Sequence, residues 1–208
     1  MTQIKRQGIL LVLSSPSGAG KSTISRRILS EDDNLSLSVS ATTREPRDGE
    51  VDGKDYHFLT KDKFKQMIDN DEFVEHAEVF DNYYGTPKQA VIDAIDDGKD
   101  VIFDVDWQGG QALFNKFPDN IVKIFILPPS IEELNKRLTT RAQDSQEVIA
   151  SRMAKSALEI SHWNEYDWVI INDDLEESIA KVKSIIQSER LKKTRQVGLI
   201  DFVKDLCN

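Results

Sequence analysis

The stretch Ser14-Ser15-Pro16-Ser17-Gly18-Ala19-Gly20-Lys21-Ser22 limits what this chain can become more than any other. An apolar run, Gly8-Ile9-Leu10-Leu11-Val12-Leu13, leads into it, and a helical pattern, Thr23 to Leu29, leaves it. Strand, glycine-bearing loop, Gly-Lys-Ser and helix form the layout of a phosphate-binding P-loop. The glycines let backbone N–H groups converge on an anion, and the helix N-terminus adds its positive dipole end. Lys21 would reach the β- and γ-phosphates, and the Ser22 hydroxyl would ligate Mg²⁺. Ser15 stands where the strict motif has its first glycine, a tolerable exchange at the exit of a strand. The competing interpretation is a Ser/Gly-rich turn without a ligand. The apolar strand before the loop and the helix after it supply the context that the motif requires.

The rest of the chain has to be compatible with that loop. Apolar runs at 101–106, 121–127 and 168–171 read as strands, and helical patterns lie between them. Ser130 with Glu133, and Asp144 with Glu147, mark helix starts at about 130 and 145. A closing helix is expected over about 175–195, with Leu175, Ile179, Val182 and Ile186 facing the core. Apolar strands alternating with helices imply an α/β fold: a parallel sheet covered by helices on both faces, with ligand beyond the carboxyl ends of its strands.

Residues 35–86 break the alternation. Leu35 to Ser40 alternates at period two, Val51 to Leu59 holds a short strand, Lys61 to Asp69 an amphipathic helix, and Glu72 to Phe80 another strand. Pro87 suits the first position of a helix running to Asp97. The expected organisation is a P-loop core of 1–34 and 87–208 with a small strand-rich insertion over 35–86.

Composition narrows the class. The 208 residues are 39% hydrophobic and 30% charged, as in an ordered globular chain. A formal charge of −9 argues against nucleic acid or an anionic membrane as the main partner. The lone Cys207 permits no internal disulfide, which suits a reducing cytoplasm. Lys5 and Arg6 precede an apolar run too short for a signal peptide. A homo-oligomer stays compatible with all of this.

The insertion carries a second chemistry. Arg44, Arg47, Tyr56 and Tyr84 could clamp a monophosphate, since guanidinium forks and phenols give charge-assisted bonds to phosphate oxygens. Glu75 could accept both N1–H and N2–H of a guanine, a donor pair that adenine lacks. Ser40, Thr86 and Asp106 could complete that recognition. Asp104 ends an apolar strand and could orient Mg²⁺ through water, or be a buried structural carboxylate.

Ordered blocks now carry a resemblance. They are Ser-Pro-Ser-Gly-Ala-Gly-Lys-Ser (15–22), Ser-Ala-Thr-Thr-Arg-Glu-Pro-Arg (40–47), Asp-Tyr-His-Phe (55–58), Phe-Val-Glu-His-Ala (73–77), Asn-Tyr-Tyr-Gly-Thr (82–86), Asp-Val-Asp-Trp-Gln-Gly (104–109), Ile-Leu-Pro-Pro-Ser (126–130) and Asn-Asp-Asp (172–174). Over roughly residues 7–190 the chain resembles guanylate kinases. The resemblance implies one such unit, with an ATP-binding core, a GMP-binding insertion and a helical lid at about 130–158. It places Ser15, Pro16, Ser17, Gly18, Ala19, Gly20, Lys21 and Ser22, with Asn172 and Asp173, at ATP. It places Ser40, Arg44, Arg47, Tyr56, Glu75, Tyr84, Thr86 and Asp106 at GMP. Lys21, Arg44, Arg137, Arg141 and Arg152 would carry the catalytic charge, and Ser22 and Asp104 the metal. Asp173-Asp174 could equally be a helix N-terminus. Two alternatives are a non-catalytic interaction module of similar fold and a kinase for another nucleoside monophosphate.

Other residues are read as structural: His57, His76 and His162 lack metal-ligand spacing, Tyr83 packs, and Trp107, Trp163 and Trp168 belong to the core. The Arg190–Arg195 cluster is read as the basic end of a helix.

Overall fold

The computed structural model describes residues 4–79, 81–103, 105, 107–141 and 146–207. The chain starts with β1 (Lys5–Arg6), β2 (Leu10–Ser14), α1 (Lys21–Glu31) and β3 (Leu35–Leu37). It then builds β4 (Ala41–Thr42), β5 (His57–Phe58), α2 (Lys61–Asp69), β6 (Phe73–Val79), β7 (Asn82–Pro87) and α3 (Lys88–Asp96). It continues through β8 (Asp100–Phe103), α4 (Trp107–Lys116), β9 (Ile121–Leu127), α5 (Ile131–Arg141) and α6 (Gln146–Ser161). It closes with β10 (Trp168–Ile171), α7 (Leu175–Arg190), β11 (Gln196–Val197) and α8 (Leu199–Cys207).

The main sheet is parallel, with strand order β10-β9-β2-β8-β3. β2 sits at its centre, and the reason its sequence is apolar from Leu10 to Leu13 is geometric. Successive side chains point to opposite faces, and both faces are covered. Ile9, Leu11 and Leu13 join Ile24 and Ile28 of α1 and Ile179, Val182 and Ile186 of α7. Leu10 and Val12 join Val91 and Ile95 of α3 and Leu113 of α4. Burying one such aliphatic side chain contributes about 1.5–3 kcal/mol, so these two layers supply most of the apolar driving force.

The α/β expectation therefore holds, and so do α1, α2, β9, β10 and the core-facing stripe of α7. Local expectations change at Leu35–Ser40 and at Pro87. The alternating run Leu35–Ser40 is not one strand. Leu35–Leu37 is the edge of the parallel sheet, with Leu37 half exposed, and the chain changes sheets before Ala41. Asn82–Pro87 is a strand between β4 and β6, despite the turn-like Gly85 and Pro87. Pro87 pairs at the end of the ladder and serves as N-cap of α3. α4 follows β8 directly although Gly109 and Gly110 lower its helical propensity. Both glycines are buried; a Cβ on Gly110 would stand 3.2 Å from Val12 Cγ1, so its smallness sets how close α4 comes to β2, and a Cβ on Gly109 would meet Val105 at 2.8 Å.

The second sheet runs β5-β4-β7-β6, with β4 parallel to β5 and the other pairs antiparallel. Its own small core stacks Phe64 of α2 on Phe73 at 4.3 Å, with Tyr83 at 5.5 Å. Tyr83 is thus a packing residue, as read.

The tryptophans and the terminal arginines depart from the sequence reading. Trp163 and Trp168 are exposed, one in a 3-10 turn after α6 and the other at the start of an edge strand. Arg190 and Arg195 are not a solvated helix end. Arg195 is buried against Glu189 at 3.1 Å, and Arg190 reaches the fully buried Asp100. α8 was not foreseen, and it leaves Ile200, Val203 and Leu206 exposed.

Candidate active site

β2 ends at Ser14 and α1 begins at Lys21, so the intervening loop lies at the carboxyl edge of the sheet, where parallel α/β sheets bind ligands. The loop closes on itself through Ala19 N–H to Pro16 O at 3.1 Å. Gly20 is the N-cap of α1 with φ 106° and no side chain to cap it; Thr23 and Ile24 N–H groups both reach its carbonyl. A Cβ there would lie 2.3 Å from Asn172 Nδ2, so the position requires glycine on two counts, backbone angle and space.

A pocket of about 310 Å³ opens over the loop. Ser15, Pro16, Ser17, Gly18, Gly20, Lys21 and Ser22 line one side, and Val105, Trp107, Phe125 and Glu159 the other. Ala19 is buried behind them. Trp107 is therefore a pocket wall rather than a core residue. Its ring stacks on His162 at 3.9 Å and 13°. A second pocket, about 460 Å³, lies on the other flank of the loop. Gly18, Gly20, Thr23, Arg137, Asn172 and Asp173 line it.

The residues expected at ATP thus converge. Asn172 is buried and gives its side-chain amide to Ala19 O at 2.7 Å, so it braces the loop from below. Asp173 is exposed at the rim of the second pocket, and Asp174 is the residue that caps α7, accepting from Glu177 N–H at 2.8 Å. Arg137 lines the same pocket, with its Nε held by Glu133 at 2.9 Å. Arg141 lies at the end of α5 and Arg152 within α6, and the side chains of both fall outside the described residues. Asp104 and Asp106 also fall outside them; Val105 between them faces the P-loop pocket.

The residues expected at the acceptor gather on the second sheet. Arg44 lies over the Tyr56 ring at 5.4 Å, and Tyr56 meets Tyr84 edge-on at 6.2 Å. Hydrogen bonding to Glu50, then to Tyr84, holds the Arg44 guanidinium above its usual range. Arg47 is exposed on the same loop. Thr86 is buried and donates its hydroxyl to Glu75 Oε1 at 2.7 Å, so the carboxylate is aimed before any ligand arrives. Ser40 is half-buried beside β4, its carbonyl taken by His57 N–H. Glu75 lines a cavity of about 330 Å³ between β6 and α4, together with Gln108. Trp107 in the P-loop pocket and Gln108 in the Glu75 cavity are sequence neighbours, so the first turn of α4 stands between the two sites.

Two carboxylates were missed. Glu159 of α6 accepts from the Ser17 N–H at 3.1 Å, placing an anion on a loop built for anions. In sequence it looks like one more solvated helix charge. Glu50 accepts from Arg44 and from the Arg47 N–H, and those contacts hold its carboxyl below the usual range. Its signal was only a charge of opposite sign six residues beyond Arg44.

The described residues contain no group of three or more His, Cys, Asp or Glu side chains placed to hold a metal. Mg²⁺ binds nucleotides through phosphate oxygens, water and one or two protein groups rather than a protein cage. Ser22, beside Lys21 on the pocket wall, fits that sparse role.

The comparisons agree with this geometry. A family model described as guanylate kinase matches residues 7–189. A guanylate kinase of Paramagnetospirillum magneticum is 57% identical over 98% of this chain and 95% of its own length, and one of Zymomonas mobilis is 54% identical over 98% and 94%. A crystal structure of guanylate kinase from Anaplasma phagocytophilum superposes with a TM-score of 0.74 at 39% identity, covering 97% of this chain and 96% of that one. With the phosphate loop and the second sheet both in place, the chain belongs to the guanylate kinase family.

Proposed function

We propose that this chain transfers the γ-phosphoryl group of ATP to GMP, giving ADP and GDP, as its family membership implies. The observation that carries the reading is the pairing of two preformed sites across the start of α4. One is an anion-binding loop; the other is a second-sheet cluster of Arg44, Tyr56 and Tyr84 with Glu75 aimed by Thr86. The ATP phosphates would lie on the loop amides and Lys21, with the base toward Asn172 and Asp173. The GMP phosphate would meet Arg44, Arg47, Tyr56 and Tyr84. Glu75 would accept the two guanine donors while Thr86 keeps it oriented, with Ser40 and Asp106 completing the contact.

Phosphoryl transfer needs alignment and charge neutralisation more than covalent help. The acceptor oxygen is already anionic, so no general base is required. Lys21, Arg44, Arg137, Arg141 and Arg152 would neutralise charge on the moving group. Ser22, with Asp104 through water, would hold Mg²⁺, which would supply positive charge to the phosphates. The segment of about 130–158, spanning α5 and part of α6, would act as the lid. Arg137 from α5 and Glu159, just beyond that span on α6, already border the loop pockets. Among the described residues no helix is long and apolar enough to cross a membrane, which is compatible with a cytoplasmic enzyme using small-molecule substrates.

The test offers GMP, AMP, UMP, CMP and dTMP separately with ATP and Mg²⁺, and measures ADP. Turnover with GMP alone is the expected result. Turnover with another monophosphate would overturn the base-reading role of Glu75. Folded protein that binds GMP without turnover would mark an interaction module. In the same assay Glu75→Gln should raise the KM for GMP by about 10- to 100-fold, the weight of hydrogen bonds to a charged group. The KM for ATP should stay within about twofold. Equal losses for both substrates would refute the assignment.

A further inference from the structure

Between the two arginines of the acceptor cleft lies a carboxylate that neither substrate requires. Both oxygens of Glu50 accept from Arg44 Nη2, at 2.8 and 3.0 Å, and Oε2 also accepts the backbone N–H of Arg47 at 2.7 Å. The loop is folded to bring them together: Glu50 N–H returns to Arg47 O at 3.0 Å, through a turn in which Gly49 has φ 89°. The contact is shielded, with 16% of the Arg44 side chain and 21% of the Glu50 side chain accessible.

The remaining contacts of Arg44 make this a mounting rather than an incidental ion pair. Nη1 donates to Glu45 O at 2.7 Å, and the guanidinium lies over the rings of Tyr56 and Phe58 at 5.4 and 5.9 Å. One face of the fork rests on the rings and one corner is held by Glu50. A guanidinium has five N–H donors, and these contacts leave part of the fork for a phosphate. Two arginines converging on one phosphate repel each other when it is absent, and each is a long side chain with many rotamers. A fixed carboxylate at their base offsets both problems before the ligand binds.

We propose that Glu50 is a positioning residue for the phosphate half of the acceptor site. It holds the Arg44 fork and the Arg47 segment in the arrangement that grips the GMP phosphate. The inference rests on the reading of this cleft as the GMP site.

The experiment uses the full chain as wild type and as Glu50→Gln, which keeps the shape but removes the charge and one acceptor. Steady-state kinetics give the KM values for GMP and ATP. Calorimetry gives the affinities for GMP and for guanosine, which has the base and no phosphate. Glu50→Gln is expected to raise the KM and Kd for GMP by about 10-fold or more. The KM for ATP and the Kd for guanosine should stay within about twofold of wild type. Parallel losses for GMP and guanosine would overturn the inference, because they would show a general collapse of the insertion. Unchanged or tighter GMP binding would also overturn it, because Glu50 would then be a bystander or a competitor. A wild-type chain that binds neither GMP nor guanosine would remove the acceptor reading itself, an outcome visible before any variant is made.

Discussion

Replacing Lys21 by alanine is expected to lower kcat by about 10²–10³, the scale of removing one preorganised donor from a developing oxyanion. The fold should survive. Lys21 opens α1 from the wall of the loop pocket, while the helix is held by Ile24 and Ile28, which are buried against the sheet. The loss should fall mainly on turnover, because the charge that Lys21 opposes grows as the phosphoryl group leaves ADP. The KM for GMP should move little, since the acceptor cleft is built on a different sheet. Kinetics with both substrates varied, together with a thermal melt, would separate these effects. Near wild-type turnover in a folded Lys21→Ala variant would sink the assignment of the loop as the catalytic phosphate site.

Those parts of the molecule in which one local pattern meets one environment were legible in the sequence. The run Ile9 to Leu13 is apolar throughout because both faces of its strand are covered, and α7 shows a helical stripe because it covers one face only. Where two environments follow each other within a few residues, local pattern misleads. Leu35 to Ser40 alternates smoothly, yet Leu35–Leu37 belongs to one sheet and the chain enters another at Ala41. Period two reports which way side chains point, not which sheet they join. Residues 82–87 carry turn signals, but β4 and β6 on either side supply ladder partners that override them. Gly109 and Gly110 weaken a helix in isolation and permit one against Val12 and Val105.

The site divides along the same line. Lys21, Ser22, Arg44, Tyr56, Glu75, Tyr84 and Thr86 sit in short blocks whose residue types state their chemistry. Asn172 sits in such a block too; it lines the second pocket and also ties its side-chain amide to the loop at Ala19 O. Glu50 and Glu159 carry no such signature. Each gains its place through a partner on the folded backbone: Glu50 through the Arg47 amide after a tight turn, Glu159 through the Ser17 amide 142 residues away. A carboxylate's sequence neighbours cannot disclose a contact of that kind.

The largest effect on stability is expected at Asp100, which no sequence pattern singled out. Its side chain is fully buried at the start of β8. Oδ1 accepts from Arg6 Nη1 at 2.5 Å and from Ile9 N–H at 3.0 Å, and Oδ2 accepts from Arg190 Nε at 2.7 Å. Arg190 also reaches Asp32, just past α1, at 2.7 Å. One carboxylate therefore ties β1, the start of β2, β8 and the end of α7 together. It does so where Arg6 pairs with Gln196 in the β1–β11 ribbon. Asp100→Ala would leave two mostly shielded guanidiniums facing each other and an orphaned backbone N–H. Breaking a buried pair by removing one partner costs about 3–5 kcal/mol, and for a chain of this size each kcal/mol lowers Tm by about 2–4 °C. A fall in Tm of roughly 6–20 °C follows. Asp100→Asn keeps one acceptor and the volume, so its cost should be smaller, while GMP turnover at 25 °C should stay close to wild type because neither substrate cleft includes this residue. Hydrogen exchange should show the β1–β11 ribbon opening first. A shift below about 2 °C for Asp100→Ala would mean that the arginines regain water at little cost, and that the two ends of the chain are held by apolar packing instead.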